Sequence, residues 1–288
     1  MSGFAGLRVL ALESRRATEL SKLISTYGGQ PVVAPAMREV PLESNKEALA
    51  FATKLFAGEF DMIIFLTGVG ARALLAVVET THKREEYVTA LQRLKVVARG
   101  PKPVAALGEI GITPAITVPE PNTWRELLQA LDNAANSATG IRLNGARVAV
   151  QEYGVSNPEL LEGLAERGAH VTRVPVYQWA LPEDLAPLRA AIHALVEGNI
   201  DAVLFTTSVQ ATHLFQVAAE MNLEAAMRSG LHRAIVASIG PTTSEELSRR
   251  AIKPDLEPSH PKMGFLVKET AERAAELFRE KRQGSTFA

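Results

Sequence analysis

The chain contains no cysteine among its 288 residues. That excludes disulfides, thiolate catalysis and cysteine-based metal sites. Histidine is also sparse, with six residues, and none stands at a metal-ligand spacing such as HExxH. Aromatics make up 6% of the chain, with four tyrosines and two tryptophans. No apolar run reaches the roughly 18 residues that a membrane helix needs. A charge excess is missing as well: 31 Lys and Arg against 32 Asp and Glu give a formal net charge of -1. A general nucleic-acid binder would carry a basic excess. The opening MSGFAGLRVLALESRR does not read as a signal peptide, because charged residues follow a short apolar run at once. A soluble protein of a reducing cytoplasm is expected, with no membrane and no nucleic-acid partner.

The familiar chemical signatures are absent too. Gly68-Val69-Gly70 lacks the last glycine of GxGxxG, and no GxxxxGK[ST] occurs, so no nucleotide cofactor is expected. Without a GxSxG elbow a hydrolase triad has no anchor. The expected cofactor complement is none, and no metal is expected.

What is present is an alternation of β-rich and helix-period stretches. LRVLAL from Leu7, PVVAP from Pro31, DMIIFL from Asp61, Leu94 to Ala98, VAVQ from Val148, HVTRVPV from His170, DAVLFT from Asp201 and Ala234 to Ile239 read as strands. Thr18 to Tyr27, Asn45 to Phe56, Pro158 to Arg167, Leu185 to Glu197 and Lys268 to Lys281 read as helices. Ser156 with Glu159, and Thr243 with Glu246, fit capping boxes. This order implies parallel sheets covered by helices on both faces.

The two halves also repeat. DMIIFLTGVGARALL from Asp61 and DAVLFTTSVQATHLF from Asp201 share six of fifteen positions without a gap. The same shift of 140 pairs Gly100 with Gly240, Pro101 with Pro241, Leu107 with Leu247, Ile112 with Ile252 and Pro114 with Pro254. The openings match at an offset of 139 or 140: Arg8-Val9 pairs with Arg147-Val148, and Pro35 with Pro175. One register held over separate blocks points to an internal duplication of an α/β half. Such sheets bind ligands at the carboxyl ends of their strands, so a cleft between two domains is the expected site.

Four loops follow strands and open helices: Thr67-Gly68-Val69-Gly70, Gly100-Pro101-Lys102, Thr207-Ser208-Val209-Gln210 and Gly240-Pro241-Thr242-Thr243. Small residues let a ligand reach the backbone, and each helix start offers free N–H groups to an anion. Taken singly, each loop reads better as an ordinary cap; four at corresponding places favour a function. Tyr153 stands at a strand end, and Tyr177 lies near the expected domain junction. Tyr177 could offer its phenol to a ligand, or it packs between domains. Trp124 and Trp179 read mainly as packing. Arg15 and Arg16 follow the first strand, where arginine suits a carboxylate; for Arg16 a solvated helix start is the better reading.

The motifs IGPTTSEEL from Ile239, VPVYQ from Val174, TGVGARALL from Thr67, FTTSVQA from Phe205 and RVAVQEYG from Arg147 resemble the uroporphyrinogen-III synthase family over nearly the whole chain. The resemblance implies two flavodoxin-like, doubly wound domains joined by a two-stranded β linker, with the first βαβ unit exchanged into the C-terminal half. It places one domain at 1–35 plus 180–288, the other at 41–173, and the linker at 36–40 and 174–179. It implies a lyase that closes hydroxymethylbilane, a linear tetrapyrrole with eight carboxylates, with inversion of ring D. It makes Tyr177 the catalytic candidate. The substrate-binding expectation covers Arg15, Thr67, Gly68, Val69, Gly70, Arg99, Gly100, Lys102, Tyr153, Thr207, Ser208, Gly240, Thr242 and Thr243. The sequence departs from the family's Gly–x–x–Thr pattern at Arg99-Gly100-Pro101-Lys102, so Lys102 or Arg99 is expected to replace a threonine there. A monomer is expected. The competing reading is a non-enzymatic cytoplasmic two-domain protein that binds an anion or a tetrapyrrole.

Overall fold

The protein is described from a computed structural model covering residues 3–41, 45–135, 142–154 and 156–284, apart from the side chains of 41, 153 and 282–284. In chain order its first half runs β1 (Arg8–Ala11), α1 (Ala17–Thr26), β2 (Gln30–Val33), β3 (Arg38–Pro41), α2 (Lys46–Phe56), β4 (Met62–Phe65), α3 (Gly68–Val78), α4 (Arg84–Gln92), β5 (Lys95–Ala98), α5 (Pro101–Gly108), β6 (Ile116–Thr117) and α6 (Trp124–Ala135). The second half runs β7 (Arg147–Gly154), α7 (Pro158–Glu166), β8 (His170–Ala180), α8 (Ala186–Val196), β9 (Ala202–Phe205), α9 (Ser208–Glu220), α10 (Glu224–Arg233), β10 (Ile235–Ser238), α11 (Pro241–Arg249) and α12 (Met263–Gly284).

The chain divides into two compact units, Met1–Arg38 with Ala180–Ala288, and Glu39–Trp179. In the first, the strand order is β10-β9-β1-β2. In the second it is β3-β8-β7-β4-β5-β6. The pairings of β1 with β2 and β9, β9 with β10, β4 with β5 and β7, β5 with β6, and β7 with β8 are all parallel. The fold is therefore α/β with parallel sheets. The N-terminal strands β1 and β2 lie beside β9 and β10, far along the chain, while β7 lies beside β4.

Apolar residues on these strands alternate between two cores, as a sheet covered on both faces requires. In the first unit Val9, Ala202, Leu204, Ile235 and Ala237 pack on one side with α1 and α12. Leu10, Val203, Phe205 and Val236 pack on the other, against α8, α9 and α10. In the second unit Ile63, Phe65, Val96 and Ala149 face α2 to α5, while Met62, Ile64, Val97, Val148 and Val150 face α6 and α7. Full burial of each such aliphatic side chain contributes about 1.5–3 kcal/mol.

Helix limits follow local chemistry. On α2 the buried Ala48, Phe51, Ala52 and Leu55 keep the spacing of a single helical face. Gly28 and Gly168, 140 apart, follow α1 and α7 in the left-handed region (φ 75° and 82°), a conformation that stops a helix and favours glycine. Proline opens α5 and α11 after Gly100 and Gly240, where its missing N–H costs no helical bond.

Two caps differ from expectation. Asn157, not Ser156, caps α7, its side chain accepting from Leu160 N at 2.8 Å; Ser156 Oγ instead donates to Glu152 Oε1. α11 begins at Pro241, so Thr243 lies inside its first turn. Glu246 is taken by Thr212 Oγ1 at 2.9 Å and by Arg250 at 2.7 Å.

Candidate active site

In the second unit the strand β4 ends two residues before Thr67, and Thr67 begins α3. Thr67 is extended (φ -144°, ψ 151°), and its Oγ1 accepts from Gly70 N at 2.9 Å, the geometry of an N-cap. The same hydroxyl lies 3.4 Å from the Tyr177 phenol oxygen. Tyr177 is 5% exposed and stands on β8. Trp179 meets its ring edge-on, at 5.5 Å and 89°. That indole occupies the space beside Gly154, where a Cβ would overlap it.

Gly68 lets the second loop approach. A Cβ there would sit 2.5 Å from the carbonyl oxygen of Lys102, so the starts of α3 and α5 abut. Thr67, Gly68, Val69, Gly70, Gly100 and Lys102 thus form one cluster with Tyr177. Val69 is half-buried against the core. Lys102 is exposed in the first turn of α5. Arg99 is tied through its backbone N–H to Phe65 O at 3.0 Å. Beneath the cluster lies Gln151, fully buried on β7, with Oε1 3.4 Å from Thr67 N. The Tyr153 side chain falls outside the described residues.

In the first unit β1, β9 and β10 are parallel neighbours, so the loops after them emerge at the same sheet edge. Arg15 is exposed there. Arg16 is exposed too and pairs with Glu19, Nε to Oε2 at 2.7 Å, the solvated helix start expected of it. Thr207 caps α9 in extended conformation with no side-chain cap bond, and Ser208 is the first helical residue. Thr206 holds the loop: its Oγ1 donates to Glu13 Oε2 at 2.7 Å, and Gln210 bonds both its N and its Oγ1 at 2.8 Å. Gly240 precedes α11, with Thr242 half-buried and Thr243 3% exposed behind it. The fully buried Ser238 Oγ donates to Gly240 O at 3.0 Å.

Gln151, Gln210 and Glu13 escape sequence reasoning. A single amide in VAVQ or SVQAT carries no periodic signal, and its partners are remote in sequence. The arrangement offers hydroxyls, helix-start amides and a few cations, a donor set that suits carboxylates. Among the described residues no group of three or more His, Asp or Glu could hold a metal ion. No helix among them is long and apolar enough to cross a membrane.

Comparison with known proteins adds a second line. The sequence model of the family described as Uroporphyrinogen-III synthase HemD matches residues 18–268. "Uncharacterized protein YjjA" of Bacillus subtilis is 33% identical over 271 residues, covering 93% of this chain and 96% of that protein. A protein of Methanothermobacter thermautotrophicus named "Putative uroporphyrinogen-III synthase" is 31% identical over 240 residues, covering 82% and 87%. The crystal structure of a mutant uroporphyrinogen III synthase from Thermus thermophilus superposes with a TM-score of 0.72 at 26% identity, over 94% of this chain and 99% of that one.

Proposed function

The chain belongs to the uroporphyrinogen-III synthase family, and on that premise we propose that it cyclises hydroxymethylbilane to uroporphyrinogen III as a cofactor-free lyase. The observation that carries the reading is the Tyr177 phenol held 3.4 Å from the Thr67 hydroxyl, amid loops rich in anion donors. Tyr177 donates a proton to the departing hydroxyl of the substrate, which leaves as water and yields an electrophilic azafulvene. The substituted carbon of ring D attacks that centre and forms a spiro intermediate. The original bond from that carbon to the ring C methylene breaks, the methylene is attacked by the free α carbon on the other side of the ring D nitrogen, and that carbon loses its proton, which restores the pyrrole and balances the proton given to the departing water. The pyrrole makes water loss intrinsically easy; holding ring D for attack at the substituted carbon is the harder task, so positioning supplies most of the effect.

The carboxylates of the substrate suit the two loop clusters, one on each unit. In the second unit the donors are the α3 and α5 starts, Thr67, Lys102 and Arg99. In the first they are Arg15, Thr207, Ser208, Gly240, Thr242 and Thr243. The reading includes an internal duplication with flavodoxin-like domains near 1–35 plus 180–288 and 41–173, linked by 36–40 and 174–179. One repeated detail supports it. Arg8 reaches Asp201 through its backbone N, Nε and Nη2, and Arg147 reaches Asp61 through the same three groups. The two pairs correspond at offsets of 139 and 140 and join opposite halves of the chain, as exchanged βαβ units would. A cytoplasmic monomer completes the proposal.

The test supplies hydroxymethylbilane and separates type III from type I product. Type III product is expected; type I alone, at the spontaneous rate, leaves only the binding-protein reading. Tyr177→Phe is expected to lower type III formation by on the order of a hundredfold, the usual contribution of a positioned acid. An unchanged rate removes Tyr177 from the mechanism.

A further inference from the structure

Gln151 is a polar side chain where the strand pattern calls for an apolar one. It follows Ala149 on the face of β7 that packs toward α3, and it is fully buried. A buried carboxamide is costly unless hydrogen-bonded, and this one is bonded at both ends. Its Nε2 donates to the Glu152 carbonyl, and its Oε1 accepts from Thr67 N at 3.4 Å. Gly70 makes the room, since a Cβ there would overlap the Gln151 carboxamide.

The other unit has a buried carboxamide in the matching place, supplied from the opposite side. Gly70 matches Gln210 at the 140-residue offset. The strand position matching Gln151 is Leu12, one residue beyond the Ala11–Leu204 pair, as Gln151 lies one beyond the Val150–Ile64 pair. One unit therefore combines Gln151 with Gly70, and the other combines Leu12 with Gln210, both of the latter fully buried. The source of the amide changes and its place beneath the loop does not, so it is more than an accident of core packing. The targets differ. Gln210 grips Thr206, whereas Gln151 grips Thr67 itself, whose hydroxyl lies beside the Tyr177 phenol.

We propose that Gln151 is a positioning residue for the synthase reaction: it fixes the backbone of Thr67 so that the Thr67 hydroxyl holds the Tyr177 phenol in register. This rests on the function proposed above. With the Gly70 N–H on Oγ1 at 2.9 Å and the Gln151 amide on its own N–H, Thr67 has little freedom to turn its hydroxyl away. Gln151 acts through Thr67 and Tyr177 and needs no contact with substrate.

The experiment is a double-mutant cycle on the full chain, read by kcat and KM for type III product and by the urea midpoint. Gln151→Met keeps the length of the side chain and removes both hydrogen bonds. It is expected to lower kcat by roughly tenfold to a hundredfold, the scale of small misplacements, with KM changed by less than about twofold. In a Tyr177→Phe background the same substitution should cost less than about twofold, because residues acting as one unit are non-additive. The transplant Gly70→Gln with Gln151→Leu copies the other unit, whose amide grips the position matching Leu66 and not Thr67, so it should keep the low kcat of Gln151→Met even where it folds as well as the wild type. Equal losses in both backgrounds overturn the assignment, as does a transplant that returns to the wild-type kcat without an amide on Thr67. A wild type forming only type I product overturns the synthase reading and this inference together; an active wild type with equal losses overturns this inference alone.

Discussion

His213 sits on α9 with 8% of its surface exposed and its Nδ1 2.7 Å from the Ala36 carbonyl oxygen. A carbonyl only accepts, so Nδ1 carries the hydrogen of this bond. Burial lowers its pKa from the ordinary 6.5, against the opposing pull of the Ala36 bond. The unfolded chain therefore takes up this proton more readily than the folded one, and stability falls as protons become available. The contribution is intact above pH 6.5 and is lost progressively as pH drops from there toward the lower folded value. Urea midpoints should decline as pH falls below about 6.5, the ordinary histidine value, and His213→Gln should flatten that decline. A variant keeping the full wild-type slope would assign the titration elsewhere. Nothing in SVQATHLF announces this burial, because the residue that His213 meets is remote in sequence. The same holds for Gln151 and Gln210. Thr67 was legible as a cap from its place between a strand and a helix, whereas its approach to Tyr177 depends on β8 packing beside β7 and cannot be read from either segment alone.

At the level of elements, β4, β5, β9 and β10 were plain in the sequence, because two-faced burial makes each a short apolar run, whereas the two-residue β6 left no such signal. The partners of the strands were not plain. MIIF and AVLF would pair as readily with one arginine-led strand as with the other. The resemblance, not periodicity, pointed to exchange. The ion pairs at the starts of the strands show why: Arg8 and Arg147 have the same partners by type, so local chemistry does not choose between them. They differ in burial, and that sets their worth. Asp201 is 15% exposed and Arg8 36%, while Asp61 and Arg147 are 48% and 45% exposed. Asp201→Ala leaves part-buried backbone and guanidinium donors without their acceptor, a loss of about 1–3 kcal/mol. Asp61→Ala removes a solvent-screened pair, which is the smaller loss. Arg147 hydrogen bonds hold the Asp61 pKa below its ordinary value, so the contribution of that pair is present above about pH 4 and is lost as pH falls below it. Urea unfolding at pH 7 should rank Asp201→Ala as the less stable variant; the reverse order would show that exposure does not govern these pairs.

For the molecule as a whole, the repeat of sequence and the unit of structure are different lengths of chain, and the difference can be tested. A fragment of residues 1–140 holds one complete copy of the proposed duplication. It contains β1 and β2 without β9 and β10, and β4 to β6 without β7 and β8. Val9, Leu10 and Ala11 would lose the neighbours that bury them, and β4 would lose one edge. A fragment of residues 39–179 breaks the repeat but keeps the six-strand sheet together with both cores that cover it. A chain folds alone when its apolar surface is buried within itself. Fragment 39–179 is therefore expected to give a cooperative urea transition and dispersed amide resonances, and fragment 1–140 to give neither. A folded 1–140 would require β1 and β2 to find partners inside their own copy, and would show that the pairing of β1 with β9 is one of two arrangements the sequence can adopt.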